Sequence, residues 1–355
     1  MTEINDIPNE HIGVSGGTGI TSLANLGNTC FINSTLQCLI HDKRFNAFLN
    51  RGNFKKHLNK KPETLIFLEY NKLRELMWSD DCTISPGGFI SSVQKVAQIK
   101  DRMLFTGYAQ NDLTEFLIFM VDCFNVAISR EVDMEITGEA SNDTDVIAKS
   151  CYTMLKTMYS KEYSEMLEHF YGIHVSTIKD ECDNILTSTP EPFLPLDLAL
   201  PEDEKDTDKE ITLSVCLDEY TKCEILDGDN KYELENKQKI TAKKQIKFWK
   251  FPKTLIITLK RFSNGIQKNN RFVKFPLVDL DLSPYIIGYN KEDYKYDLFG
   301  VCNHTGGILG GHYTADIKNA DGDWYNFNDE IITKITNEKE LITKNAYCFF
   351  YRKKI

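Results

Sequence analysis

The sequence predicts an α+β fold, with helices in the first half of the chain and strands in the second. Apolar residues recur at helical spacing from about residue 30 to 128. The plainest case is "AQNDLTEFLIFMVDCF" (109–124), where Leu113, Phe116, Leu117, Met120, Val121 and Phe124 form one stripe. Beyond residue 170 the pattern changes to runs rich in β-branched and aromatic residues. With 355 residues, 41% of them apolar, the chain is long enough to bury a large core in one domain or two.

Taken in order, residues 1–18 end in "SGGTG" and read as a flexible lead. Ile32, Leu36, Leu39 and Ile40 follow Cys30 at helical spacing, and Cys38 lies near the same apolar face as a core residue. Leu65, Leu68, Leu73 and Leu76 mark a second helix and its expected buried stripe. "REVDMEITGEASNDTD" (130–145) is polar and acidic, hence a loop, and a further helix is expected over 146–168. "FYGIHVSTI" (170–178), "TLIITLKRF" (254–262), "YDLFGVCNH" (296–304), "HYTADIK" (312–318) and "AYCFFYRK" (346–353) favour strands, and "PEDEKDTDKE" (201–210) is a charged loop.

A net charge of −10 argues against a nucleic-acid partner, which calls for a basic face. Apolar runs such as "FLIFMV" (116–121) fall far short of a membrane span, so no membrane insertion is expected. The polar start "MTEINDIPNE" lacks the basic and apolar regions of a signal peptide, which places the chain inside the cell, in cytoplasm or nucleus. Ten scattered cysteines in a reducing compartment are expected as free thiols, and none stands in a CxxC pair.

"GNTCFINSTLQCLIHD" (27–42) sets Cys30 at the start of a helix. Two readings stand: a packed core cysteine, or a thiol whose pKa is lowered by the unpaired N–H groups of the helix start. A nucleophile needs a base from elsewhere in the fold. Of seven histidines, His41 and His57 sit among polar surface residues, and His169 and His174 flank a strand start. His312 follows "GGILGG" (306–311) and opens an alternating strand. "NADGDW" (319–324) then signals a hairpin through Asp321-Gly322. A loop centred near 320 or 321 sets His312 against positions 328 to 330. Asn328 could then accept the imidazole N–H and fix its tautomer. Asp329, next in line, takes that role if a bulge turns it inward. The Cys30 N–H is one oxyanion donor, and Asn25 is either a second or a residue that builds the turn at Gly27.

These stretches resemble a known family. "GITSLANLGNTCFINSTLQCL" (19–39) and "HTGGILGGHYTADIKNADGDWYNFND" (304–329) resemble the cysteine and histidine boxes of the ubiquitin-specific proteases. "GYAQNDLTEFL" (107–117), "TPEPFLPLDLAL" (189–200) and "FPKTLIITLKRF" (251–262) are similar to three further signatures of that family, in the same order. The resemblance covers nearly all of 19–353. It implies a papain-like cysteine peptidase shaped as a right hand, with a thumb over about 19–165, fingers over about 175–250, and a palm from about 166–174 and 251–353. It implies hydrolysis after the C-terminal glycine of ubiquitin, with ubiquitin and ubiquitinated proteins as partners, a monomeric chain and no cofactor. The alternatives are a protease for another ubiquitin-like modifier, or an inactive ubiquitin-binding scaffold.

By motif position the resemblance makes Cys30 the nucleophile, His312 the base and Asn328 the third member. It raises Asn25 to an oxyanion donor and gives Asp329 an assisting place. Asp112 and Glu115, three apart on an expected helix and so on one face, match positions that receive arginines of the ubiquitin tail. His304 and Tyr313 match positions along the tail channel, a slot narrow enough to suit two terminal glycines. Where relatives carry four zinc-holding fingertip cysteines, this chain has Asp180, Asp183, Leu234 and Lys237, so no metal is expected. Cys216 and Cys223 are expected in the core.

Overall fold

The structure, a computed structural model, describes residues 17–201, 210–262, 268–307 and 310–354. The first half is helical: α1 (Cys30–Ile40), α2 (Lys43–Arg51), α3 (Glu63–Met77), α4 (Gly87–Ile99), α5 (Leu113–Ile128), α6 (Asp143–Tyr159) and α7 (Glu165–Phe170). Two short parallel strands, β1 (Ser22–Leu23) and β2 (Thr83–Ile84), tie the segment before α1 to the start of α4.

Helix α1 is buried on every side, as a helix enclosed by other elements must be. Its polar residues therefore need internal partners: Gln37 Nε2 donates to Thr21 O at 2.8 Å and Thr35 Oγ1 to Phe31 O at 2.8 Å. Helix α5 buries the whole predicted stripe, with Leu113, Phe116, Leu117, Met120, Val121 and Phe124 all inaccessible. Truncating one such ring, Phe116→Ala for example, costs about 3–5 kcal/mol.

Helix α3 forms where expected but turns a different face inward. Ile66, Phe67, Tyr70, Leu73 and Met77 are buried, while Leu65, Leu68 and Leu76 are 36%, 43% and 48% exposed. The aromatic rings decide the matter: Phe67 and Tyr70 pack against Phe124 at 5.3 and 4.7 Å between centroids. The single helix expected over 146–168 is two. α6 ends at Tyr159, and Ser164 starts α7 by accepting the Met166 N–H at 3.1 Å while donating to Asn125 Oδ1 at 2.6 Å.

The second half builds two sheets. β3 (Gly172–Lys179), β4 (Ile185–Phe193), β6 (Glu224–Leu226) and β9 (Ala242–Lys250) form an antiparallel sheet in the order β4-β3-β9-β6. The hairpin β7 (Tyr232–Glu233) and β8 (Lys239–Ile240) stands apart from it. The larger sheet includes β5 (Leu196–Ala199), β10 (Thr254–Lys260), β12 (Lys295–Gly307), β13 (Gly310–Lys318), β14 (Trp324–Asn328), β15 (Ile331–Ile335) and β16 (Ala346–Lys353). Its order is β15-β14-β13-β12-β16-β10-β5, with β11 (Leu280–Asp281) on β12. Helix α8 (Leu213–Tyr220) packs against β5.

One core lies between the helical half and the large sheet, a second behind that sheet, and a third between α6 and the four-stranded sheet. Helix α1 lies against β12 and β13 so closely that a Cβ on Gly300 would come within 3.1 Å of Cys38 Sγ. Among the described residues no helix is long and apolar enough to cross a membrane.

At the expected fingertip positions, local turns do the holding. Asp180 Oδ1 accepts the Cys182 and Asn184 N–H groups at 2.9 Å each, and Asp183 pairs with Lys243 at 2.9 Å. Leu234 and Lys237 close the β7–β8 turn, Lys237 with φ of 66°. Cys216 is buried, but Cys223 is exposed, because it falls just beyond the end of α8. His41 is buried too, its ring nitrogens facing Gln37 O and Gly19 O at 2.8 and 3.0 Å. Most of the lead (1–16) and of the charged loop (202–209) lies outside the described residues.

Candidate active site

Cys30 is the first residue of α1, with Thr29 before it as the N-cap. It does not project free of the protein: it is only 3% exposed and lies on the floor of a cleft between α1, the approach to α5 and the β12–β13 hairpin. The cleft holds about 290 Å³ and is also lined by Gln110, Asp112, His304, Gly311 and Tyr313. Burial pushes the Cys30 thiol up from its ordinary value, although its backbone contacts to Tyr313, Phe31 and its own N–H pull the other way. Desolvation outweighs the amide dipoles.

His312 lies in β13. The hairpin to β14 turns at residues 319–323, where Gly322 takes φ of 93° as the Asp-Gly signal requires. His312 Nε2 stands 2.6 Å from Asn328 Oδ1. The oxygen only accepts, so Nε2 carries the proton and Nδ1 is the basic nitrogen. Among the described residues no hydrogen bond joins the Cys30 thiol to His312.

Asp329 follows β14 with φ of 51°, a left-handed conformation that turns its side chain back toward α1. Its Oδ2 accepts from Asn25 Nδ2 at 2.8 Å and its Oδ1 from Asn33 Nδ2 at 2.8 Å. Oδ2 is also 4.0 Å from His312 Nε2. Of the two sequence readings of Asn25, the turn is the one its contacts show. Its Oδ1 accepts the Gly27 and Thr29 N–H groups at 3.0 and 3.2 Å, which makes the turn, and its amide nitrogen remains a donor.

Asp112 is not on the helix but caps it. Its Oδ1 accepts the Thr114 and Glu115 N–H groups at 2.8 and 3.1 Å, and its Oδ2 accepts from Tyr347 Oη at 2.7 Å and Tyr313 Oη at 3.4 Å. Glu115 is exposed in the first turn of α5, outside the cleft. The shared helix face expected of the pair is thus replaced by a capping relationship. His304 lines the cleft opposite Tyr313, with ring centroids 4.6 Å apart. Burial, with Lys268 nearby, pushes His304 down to about 4, and its Nδ1 has no partner.

Three contributors were not read from the sequence as site residues: Asn33, Gln110 and Tyr347. Gln110 bridges the cleft, Nε2 donating to Gly311 O at 2.6 Å and Oε1 accepting the Gly311 N–H at 3.1 Å. Asn33 and Gln110 both lie inside the quoted motif stretches, which was the available signal. Tyr347 had none. Among the described residues no three His, Cys, Asp or Glu side chains stand together in a way that could hold a metal ion.

A sulfur on a helix start, an imidazole oriented by an amide and nearby N–H donors suit acyl transfer through a thioester. A family model described as ubiquitin carboxyl-terminal hydrolase matches residues 21–351. Ubiquitin carboxyl-terminal hydrolase 2 of Gallus gallus is 33% identical over 94% of this chain and 93% of its own length. Usp2 of Drosophila melanogaster is 31% identical over 94% of this chain but only 35% of its own length. The Homo sapiens hydrolase 2 is likewise 31% identical, over 55% of its length. The chain thus spans between a third and just over half of several curated relatives. The fold matches the SAGA Ubp8/Sgf11/Sus1/Sgf73 DUB module bound to ubiquitin aldehyde, with a TM-score of 0.72 and 26% identity over 95% of this chain and 70% of that one. It matches a variant of the same module bound to monoubiquitin equally well, at 0.72 and 25% over 99% and 72%.

Proposed function

The chain belongs to the ubiquitin carboxyl-terminal hydrolase family, and from that premise we propose that it is a deubiquitinase: a thiol hydrolase that cleaves isopeptide or peptide bonds after the C-terminal glycine of ubiquitin. The observation that carries the reading is that Cys30 lies on the floor of a cleft walled by Gly311 and Tyr313, while His312 between them is held by Asn328 at 2.6 Å. In this reading His312 Nδ1 takes the thiol proton and Sγ attacks the glycine carbonyl. The developing oxyanion is met by the Cys30 N–H and the Asn25 amide. Collapse breaks the C–N bond, protonated His312 gives its proton to the leaving lysine amine, and water activated by the same imidazole hydrolyses the thioester.

Since burial pushes the free thiol up and no hydrogen bond pairs it with His312, arrival of the tail is the step that brings sulfur and imidazole together. Asp112, His304 and Tyr313 form the proposed tail channel, with Glu115 at its outer edge. The helical half is the proposed thumb, the four-stranded sheet the fingers and the large sheet the palm. All proposed catalytic groups come from one chain, in keeping with action as a monomer; its proposed place is inside the cell and its proposed substrates are ubiquitin and ubiquitinated proteins. The test is release of a fluorophore amide-linked to the ubiquitin C-terminus. The intact protein should release it, and Cys30→Ala should bind ubiquitin without releasing it. No release by the intact protein contradicts the reading.

A further inference from the structure

Asn33 follows Cys30 within the opening turn of α1 and is 3% exposed. Its amide nitrogen donates to Asp329 Oδ1 at 2.8 Å, with Leu23 O and Ala24 O each at 3.4 Å. Its Oδ1 is buried and has no partner. A buried, unpaired carbonyl oxygen costs stability that an apolar or hydroxyl side chain at this place would avoid. The position thus carries a penalty for the sake of its donor side.

The acceptor is no ordinary carboxylate. Asp329 is bent into the left-handed region, its side chain is 10% exposed, and its second oxygen holds the Asn25 amide at 2.8 Å while lying 4.0 Å from His312 Nε2. Two amide donors from the α1 side therefore hold one carboxylate, with the imidazole of β13 close by. His312 instead bonds Asn328 at 2.6 Å. A carboxylate pinned through both oxygens by amides is held in one rotamer, and the Asn25 amide is oriented by it in turn.

We infer that Asn33 is a positioning residue for the reaction, acting through Asp329 to aim the Asn25 amide at the oxyanion. The relay runs amide, carboxylate, amide, from the helix that carries the sulfur to the turn in front of it. It makes the oxyanion donor and the nucleophile parts of one rigid unit, because Asn33 and Cys30 share the opening of α1. This inference rests on the deubiquitinase reading for its kinetic consequence but not for its structural one.

The experiment is a double-mutant cycle on ubiquitin–fluorophore hydrolysis with Asn33→Ala, Asn25→Ala and the pair. Loss of an oxyanion donor lowers kcat about 100-fold, so Asn25→Ala should fall by that order. Asn33→Ala should lower kcat about 10-fold with KM within about 2-fold, and the double variant should match Asn25→Ala alone. Independent losses that multiply in the double variant overturn the relay. Should Asn33→Ala fail to fold, Asn33→Leu, of nearly the same shape but with no donor, replaces it in the same cycle. A second readout needs no ubiquitin: solvent exchange of the Asn25 side-chain amide protons by NMR, assigned by their loss in Asn25→Ala. Exchange several-fold faster in the Asn33 variant supports the relay, and unchanged exchange overturns it. If the intact protein cleaves no ubiquitin conjugate but the exchange accelerates, the enzyme reading fails and the relay stands.

Discussion

His312 bonds Asn328 at 2.6 Å although the two are not opposite each other. The β13–β14 register runs from Ala315↔Phe327 to Lys318↔Trp324, and its continuation sets Asn328 against Thr314. The imidazole reaches its partner along the diagonal of the sheet, a distance a ring can span. Asp329 Oδ2 waits 4.0 Å away as a second acceptor. Asn328→Ala should accordingly lower kcat by about 10-fold and leave KM nearly unchanged, whereas His312→Ala should lower it by about 1,000-fold or more. Steady-state kinetics on a ubiquitin–fluorophore conjugate measures both. Equal losses in the two variants would show that Asp329 gives no support.

Burial pushes the Cys30 thiol up from its ordinary value in the free protein. Only the thiolate reacts with alkylating agents. Iodoacetamide labelling of Cys30, followed by peptide mass spectrometry, should therefore keep accelerating beyond pH about 8.5, the ordinary thiol value. A plateau at or below neutral pH would mean that the thiolate is already formed before substrate arrives.

Asp112 combines a cap with a charge, and two substitutions separate them. Asp112→Ala loses the cap on α5 and should cost about 1 kcal/mol of stability. Asp112→Asn keeps a capping oxygen and should unfold near the wild-type temperature. If the carboxylate receives an arginine of the ubiquitin tail, Asp112→Asn should still raise KM about 10-fold with kcat held. An unchanged KM removes Asp112 from the tail channel and leaves it as a cap.

Asp42 is a buried stability element. Burial works against its charge, but His169 at 2.9 Å, Arg352 and Thr254 hold its carboxyl well below the usual range. A depressed folded value means that the contribution is complete above the unfolded value of about 3.9 and is lost as pH falls through the folded one. Asp42→Asn, which still caps α2, should lose about 3 kcal/mol at neutral pH. The gap between the two proteins in urea midpoint should narrow as pH drops below about 4. A gap independent of pH would assign the loss to packing.

The order of helices and strands was legible because it depends on local periodicity, and α5 buried every residue its stripe named. The His312–Asn328 pairing was legible because a hairpin is short and Asp321-Gly322 marks its turn. What a helix packs against is not local. The leucines of α3 outnumber its aromatics, yet Phe67 and Tyr70 chose the buried face through contact with Phe124 on a helix far along the chain. Whether Cys30 was a packed cysteine or an activated thiol could not be read locally, since the walls of its cleft come from residues as distant in sequence as Gln110 and Tyr313. The bonds of Asn33 to Asp329 and of Gln110 to Gly311 span 296 and 201 positions. No spacing rule reaches that far. The same holds for His41, whose polar neighbours in sequence suggested a surface but whose ring is sealed between Trp78 and Phe327.

The most direct measurement is the intact mass of the protein after incubation with ubiquitin carrying an alkyne-type electrophile in place of its C-terminal carboxylate. A gain of one ubiquitin, mapped to Cys30 and abolished in both Cys30→Ala and unfolded protein, is the expected result. An unshifted mass, or a ubiquitin attached at any of the exposed thiols Cys82, Cys182 or Cys223, contradicts Cys30 as the attacking group.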